Sequence, residues 1–266
     1  MTIRAKLAMC NIFPDVRELR AFAVENRFKG IEWSFSLDEI PETPSDQSSW
    51  VTEQGVFAPM EVRYHCPFYQ TDLGHDDPVE AKAAGILFQK IIRLVSKAGG
   101  RYLTIHIGLG RDTTEPLSWE ATVDNLRRLV HYGLQHQVTV CLENLAWGWT
   151  SRPNLFEKLI RRSGAGVTFD VGHAYVCESV VSHQYSLEDF ITPHIGRVFN
   201  AHLYHKEVSG VGHLPPERIE DMESRLSLLV DIGCPWWVVE LHEADALLQT
   251  MKVIEAYLSE NHSYSS

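Results

Sequence analysis

Eight short apolar runs, each followed by a longer stretch with helical spacing, govern what this chain can fold into. The runs are KLAMC (6–10), GIEWSF (30–35), EVRYHC (61–66), YLTIHIG (102–108), VTVCLEN (138–144), VTFDVG (167–172), VFNAHLY (198–204) and WWVVELHE (236–243). Between them, stretches such as PDVRELRAFAVENRF and SWEATVDNLRRLVHYGLQH place apolar residues three and four apart, the period of an amphipathic helix. Glycines in KAGG and DIGC suit helix C-caps. Alternation of this kind builds a parallel sheet, and eight strand-helix units in 266 residues match a single α/β domain, a (β/α)8 TIM barrel. No linker or composition shift divides the chain, so residues 1–260 are expected to form the barrel and 261–266 a flexible tail. One segment breaks the rhythm: SLDEIPETPSDQSSWVTEQG (36–55) is polar with weak helical periodicity and reads as a long loop over one end of the barrel.

A barrel strand alternates between lumen and helix layer, so the polar set on each strand identifies the lumenal face. Thr139, Cys141 and Glu143 share one face against Val140 and Leu142. Thr104 and His106 oppose Leu103 and Ile105, Asn200 and His202 oppose Phe199 and Ala201, and Glu32 and Ser34 oppose Ile31 and Trp33. An acid or a histidine lies near the C-terminal end of each such strand. Collected, these are Glu32, His65, His106, Glu143, Asp170, His202 and Glu240, spaced from His65 onward by 41, 37, 27, 32 and 38 residues, one per strand-helix unit. Carboxylates and imidazoles converging on one axis repel one another and are poorly solvated without a counter-ion. A divalent metal removes both problems. Asp170 is thereby expected to be a metal ligand, with His173 one short turn further out.

Charge and composition narrow the function. A formal net charge of −11 argues against a broad basic surface for nucleic acid. The five cysteines are odd in number and scattered without a CxxC pair, as expected of reduced thiols in a cytoplasmic protein; Cys10 and Cys141 read as small core residues. No apolar leader and no run of about 18 apolar residues is present, so neither secretion nor membrane spanning is expected.

The stretches RYHCPFY, TIHIG, CLENLAWG, TFDVGHAYV, NAHLYH, GVGHLPP and VVELHE occur in an order and spacing that resembles the xylose isomerase-like TIM barrel superfamily, across roughly residues 5–258. That group includes sugar and sugar-phosphate isomerases, 3-epimerases, an inosose dehydratase and endonuclease IV-type apurinic endonucleases. The resemblance implies one divalent metal held by Glu143, Asp170, His202 and Glu240, with His173 contacting substrate. Manganese is expected first, with magnesium, cobalt or zinc as alternatives. The endonuclease branch implies further metals on His65, His106, His173 and His213, together with an Asp two residues before the last histidine; that position is Val211. The arginine that several 3-epimerases carry six residues after the seventh-strand histidine is replaced by Val208, for which Lys206 or His205 could substitute.

The leading expectation is therefore a metal-dependent isomerase or epimerase of a small sugar, sugar phosphate or related polyhydroxy carbonyl compound, with Glu143 and Glu240 as general base and general acid. Dehydration of a cyclic polyol ketone begins with the same proton abstraction. His65, His106, His173 and His213 either bind substrate or hold a second metal. Glu32 either pairs with Arg63 or touches substrate, Lys206 is a candidate substrate contact, and Trp147 and Trp149 either wall a sugar pocket or pack at the surface. The alternative is a metal-cluster phosphodiesterase of the apurinic endonuclease type. The expected partners are a small carbohydrate-type substrate and, in a homo-oligomer, further copies of the chain.

Overall fold

A computed structural model describes residues 5–67, 72–108 and 113–262. All eight apolar runs form strands: β1 (Lys6–Cys10), β2 (Gly30–Ser34), β3 (Glu61–His65), β4 (Tyr102–Ile105), β5 (Thr139–Glu143), β6 (Gly166–Asp170), β7 (Val198–Leu203) and, as the eighth barrel strand, β10 (Trp236–Val239). They pair in parallel and close in the order β1-β10-β7-β6-β5-β4-β3-β2, as a TIM barrel requires. Helices α1 (Val16–Glu25), α3 (Pro78–Lys97), α4 (Trp119–Gln135), α5 (Pro153–Ser163), α8 (Glu223–Asp231) and α9 (Ala244–His262) surround them, with two short helices, α6 (Val171–Val176) and α7 (Glu178–Val181), after β6. Helix starts are set by local chemistry. Asp15, Asp77 and Ser118 each accept a backbone N–H of the first turn, and Pro78 and Pro153 occupy first helical positions, where their missing N–H costs nothing. Helix α9 runs into the expected tail as far as His262; residues 263–266, like Phe68 and Tyr69 of the RYHCPFY stretch, lie outside the described residues.

Two segments depart from the sequence-based expectation. The expected loop over 36–55 contains a helix, α2 (Pro44–Gln54). Thr43 caps it and Pro44 opens it, while Trp50 is its one buried large apolar residue, stacked 5.3 Å from the Phe35 ring. A helix that docks mainly through a single tryptophan leaves little periodicity to read. The second departure is an antiparallel hairpin after β7, formed by β8 (Lys206–Val208) and β9 (Gly212–Leu214). Gly210, at φ 76°, supplies the left-handed backbone of its turn.

The lumen is packed in layers. Its floor is a small apolar cluster of Ala8, Trp236 and Val238, separate from the large core between strands and helices. The Arg63 guanidinium lies 4.4 Å from the Trp236 ring and 3.9 Å from the Tyr102 ring, and donates to Glu61, to the Phe199 carbonyl and to Asn200. Arg63 therefore turns toward the floor, away from a pairing with Glu32. Above it, Asn200 donates to Thr168 Oγ1 at 3.0 Å, and Thr168 meets Thr104 at 2.8 Å. All five cysteines are free and buried, and burial pushes the Cys10 and Cys141 thiols up to about 12, so they stay protonated. Among the described residues no helix is long and apolar enough to cross a membrane.

Gly30 makes room for the floor. A Cβ there would collide with the Trp236 ring and stand 2.6 Å from the Glu61 carbonyl oxygen. Gly30→Ala should therefore cost about 1–3 kcal/mol by overpacking, read as a lower urea midpoint at unchanged m-value. An unchanged midpoint would mean that the floor is not packed around Trp236.

Candidate active site

Strand alternation delivers seven ionisable side chains to one end of the lumen: Glu32, His65, His106, Glu143, Asp170, His202 and Glu240, all buried. Each lies near or just beyond the C-terminal end of its strand, the face of such barrels that carries chemistry. The β6/β7 pairing shifts register between Val167 and Thr168 and thereby sets Asp170 opposite His202. Asn144, directly after β5, clamps the same strand end: its side chain donates to the Asp170 carbonyl and accepts the Asp170 N–H, both at 2.9 Å. Asp170 also caps α6, with Oδ1 accepting the His173 N–H at 2.6 Å. Its Oδ2 remains directed at the ring.

One ligand atom from each of Glu143, Asp170, His202 and Glu240 lies within 4.8 Å of the others. His202 Nδ1 is 3.2 Å from Glu143 Oε1, 3.2 Å from Glu240 Oε2 and 3.9 Å from Asp170 Oδ2. Asp170 Oδ2, His202 Nδ1 and Glu240 Oε2 are all buried without a hydrogen-bond partner. Converging buried donor atoms with no partner are what a divalent cation satisfies, so the four side chains fit a metal. Behind them Glu32 Oε1 lies 2.8 Å from His202 Nε2, the outer-carboxylate position that fixes a ligating imidazole.

The second Glu143 oxygen is fully engaged. Oε2 accepts from His106 Nε2 at 3.0 Å and from His65 Nε2 at 3.2 Å. His65 also directs Nδ1 at the Cys66 carbonyl, 2.8 Å away; both its nitrogens face pure acceptors, which requires imidazolium. Burial opposes that charge, but the Glu143 carboxylate outweighs it and raises the His65 pKa. The Nδ1 of His106, by contrast, accepts from the Cys66 thiol at 3.7 Å, and burial lowers its pKa, so His106 stays neutral.

Charge balance follows from the same contacts. Burial works against ionising Glu143, yet His202 and His106 hold its carboxyl well below the usual range. Glu240 is lowered in the same way, burial being outweighed by His202. His202 is raised well above its ordinary value, because Glu143, Glu240 and Glu32 overcome its burial. Burial pushes Asp170 up to about 6. Without a cation, protonated His65 and His202 offset only part of the carboxylate charge of the ring.

The remaining candidates separate into two groups. His173 and His213 reach the outer edge of the ring, where His173 Nδ1 lies 3.1 Å from the Asn144 carbonyl and His213 Nδ1 3.0 Å from the Glu240 carbonyl. Trp147 and Trp149 line a cleft of about 490 Å3 between the loops after β5 and α6, a cleft that includes none of the seven ring residues. Lys206 opens β8 and Val211 is 68% exposed in the hairpin turn. Three residues escaped the sequence reading: Asn144; Tyr204, stacked on His213 with ring centroids 3.7 Å apart; and Glu207, 3.1 Å from His173 Nε2. The readable signal for Glu207 was the Ser-Gly-Val-Gly turn, which makes it the cross-strand partner of His213.

Residues 21–257 match a protein family described as xylose isomerase-like TIM barrel. An uncharacterized protein of Methanocaldococcus jannaschii is 29% identical over 197 residues, 74% of this chain and 80% of that one. The fold superposes on a 3-keto-D-glucoside 4-epimerase from E. coli with a TM-score of 0.73 at 15% identity, covering 95% of this chain and 100% of the other. It superposes on endonuclease IV from Thermus thermophilus with a TM-score of 0.68 at 15% identity, covering 96% and 99% respectively. Identities this low speak for the fold alone.

Cation binding at His202 Nδ1 must displace a proton, since that pKa is raised and the group is charged at neutral pH. Affinity should weaken as pH falls, and more steeply below about 6, where Asp170 also takes up a proton. Calorimetric titration with manganese in buffers of different ionisation enthalpy should show proton release, reduced in His202→Asn. Affinity independent of pH would contradict the charge balance described.

Proposed function

The chain belongs to the xylose isomerase-like TIM barrel family, and from that premise we propose that it is a divalent-metal-dependent isomerase or epimerase of a small sugar, sugar phosphate or related polyhydroxy carbonyl compound. The observation that carries this reading is the pair of buried carboxylates, Glu143 and Glu240, each 3.2 Å from the same His202 nitrogen. A divalent cation held by Glu143, Asp170, His202 and Glu240 supplies Lewis-acid polarisation of a substrate carbonyl. Glu143 and Glu240 serve as general base and general acid at the neighbouring carbon. The proton on the Glu143 side is replenished through Oε2, onto which His65 already donates, while His106 holds the carboxylate in place. Asn144 keeps Asp170 oriented, and the packed lumen floor below excludes water from that side. Lys206, which opens the hairpin beside His173, is proposed as a contact for substrate hydroxyls, whereas Trp147 lines the separate cleft. Loss of water from a cyclic polyol ketone shares the opening proton abstraction and falls within this reading.

A metal-cluster phosphodiesterase of the apurinic endonuclease type is the second reading, favoured by the four histidines His65, His106, His173 and His213 around one mouth. The net charge of −11 opposes it, because duplex binding draws its affinity largely from cationic contacts to phosphate.

Incubation with ketoses, aldoses, their phosphates and inososes in deuterated water, with product followed by chromatography, should introduce deuterium beside the carbonyl of at least one compound. Glu143→Gln and Glu240→Gln should each reduce that exchange by about 10²-fold or more at saturating metal, since the amide keeps the shape but cannot accept a proton. Metal-dependent incision of duplex containing an abasic site, with no exchange or conversion in the sugar panel, would overturn the proposal in favour of the nuclease.

A further inference from the structure

The cleft that holds Trp147 lies outside the carboxylate-histidine ring and is unused by the proton-transfer reading. It measures about 490 Å3, within the range of small-molecule sites, and the loop after β5 faces the start of α7 across it. Its two tryptophans differ. Trp149 packs on the core and meets the Trp119 ring edge-on, with centroids 5.3 Å apart. Trp147 is half-buried and has no ring partner among the described residues. An indole left unpartnered in a cleft wall is a platform for stacking. We infer that this cleft is a subsite for one sugar unit, placed to hold the non-reacting unit of a disaccharide or other glycoside whose carbonyl-bearing unit lies at the buried carboxylates. The placement of the reacting unit rests on the isomerase or epimerase reading; the subsite itself does not.

The chemistry of the walls favours an uncharged polyhydroxy compound over an anion or a cation. Arg152 and Glu178 supply one charge of each sign, and neither is engaged in an ion pair among the described residues. With Gln184 they present a planar donor, a planar acceptor and a planar group that does both, which suits neighbouring hydroxyls. Ser151 and Ser179 are buried in the wall, and their hydroxyl hydrogens are already committed to the Gly148 carbonyl at 2.9 Å and the Ser151 carbonyl at 2.6 Å. The second of these bonds fastens α7 to the loop after β5, so little ordering is needed when a ligand enters.

Three segments that build the ring also wall the cleft. The loop after β5 follows directly on Glu143, and α7 follows directly on α6, which carries His173. A Cβ at Gly108, two residues past His106, would stand 3.6 Å from the Trp147 indole. The cleft therefore opens on the C-terminal face of the barrel, beside the mouth of the ring.

Calorimetry and saturation-transfer NMR on the full-length protein with manganese test the subsite, using cellobiose against glucose and lactulose against fructose. At least one disaccharide should bind about 10-fold tighter than the monosaccharide it contains, with transfer to both of its units. Trp147→Ala should abolish that advantage at unchanged circular dichroism and unchanged monosaccharide affinity, and Arg152→Ala and Glu178→Gln should each reduce it. Asp170→Asn should keep the Trp147-dependent transfer to the non-reacting unit. Such binding without deuterium exchange in any compound would support the subsite and count against the isomerase or epimerase reading. Exchange into monosaccharides, with disaccharides neither bound more tightly nor sensitive to Trp147→Ala, would overturn the subsite and leave that reading standing. Trp147-dependent binding of nucleosides with no disaccharide advantage would overturn the inference in favour of a base-stacking cleft, and binding of neither class would overturn it outright.

Discussion

Glu143 is the group on which the rest of the site depends. Its carboxylate is buried, and a buried carboxylate is tolerated only when its charge is matched and its oxygens are occupied. Oε1 faces His202, while Oε2 is shared by His65 and His106. Through these contacts the ends of β3, β5 and β7 and the residue after β4 are drawn to one point. The two histidines on Oε2 are not equivalent: one is charged because both its partners accept, the other neutral because a thiol donates to it. A single carboxylate oxygen thus sits between a proton carrier and a fixed dipole, an arrangement suited to moving a proton without losing position.

That arrangement needs a rigid base, which the layered lumen provides. The Thr104, Thr168 and Asn200 network links β4, β6 and β7 directly beneath the ring, and Arg63 ties Asn200 to the aromatic floor of Trp236 and Tyr102. These hydroxyl, amide and guanidinium groups satisfy one another, so the interior gains orientation from hydrogen bonds that need no water to complete them. The same layers close the lumen below the ring, leaving the C-terminal face as the side from which a substrate or cation approaches.

The hairpin adds a second level to this plan. It contributes no barrel strand, yet it brings Glu207 and His213 beside His173, and His213 in turn touches the Glu240 backbone. The outer group is therefore connected to the inner ring by position while sharing no side chain with it. His173 Nδ1 lies 3.4 Å from Asp170 Oδ2 and His213 Nδ1 3.8 Å from Glu240 Oε2, so the outer group is electrostatically tied to the buried carboxylates.

Much of this was written into the sequence. Period-two alternation put polar residues into the lumen of every strand inspected, and an acid or a histidine near the end of each located the ring. Asn200 and Thr104 were legible as lumenal for the same reason. What the alternation cannot carry is which strand-end atoms meet, because that depends on barrel closure and the β6/β7 register shift. Hence Glu32 found His202 and Arg63 found Asn200, although the two neighbours on β2 and β3 looked like a pair. Helix α2 was hidden because its packing rests mainly on Trp50. Glu207 was hidden because its role exists only once an antiparallel turn sets it opposite His213. Local periodicity fixed the faces; long-range closure of the chain decided the partners, since contact distance between strand ends is a property of the barrel and not of any one strand.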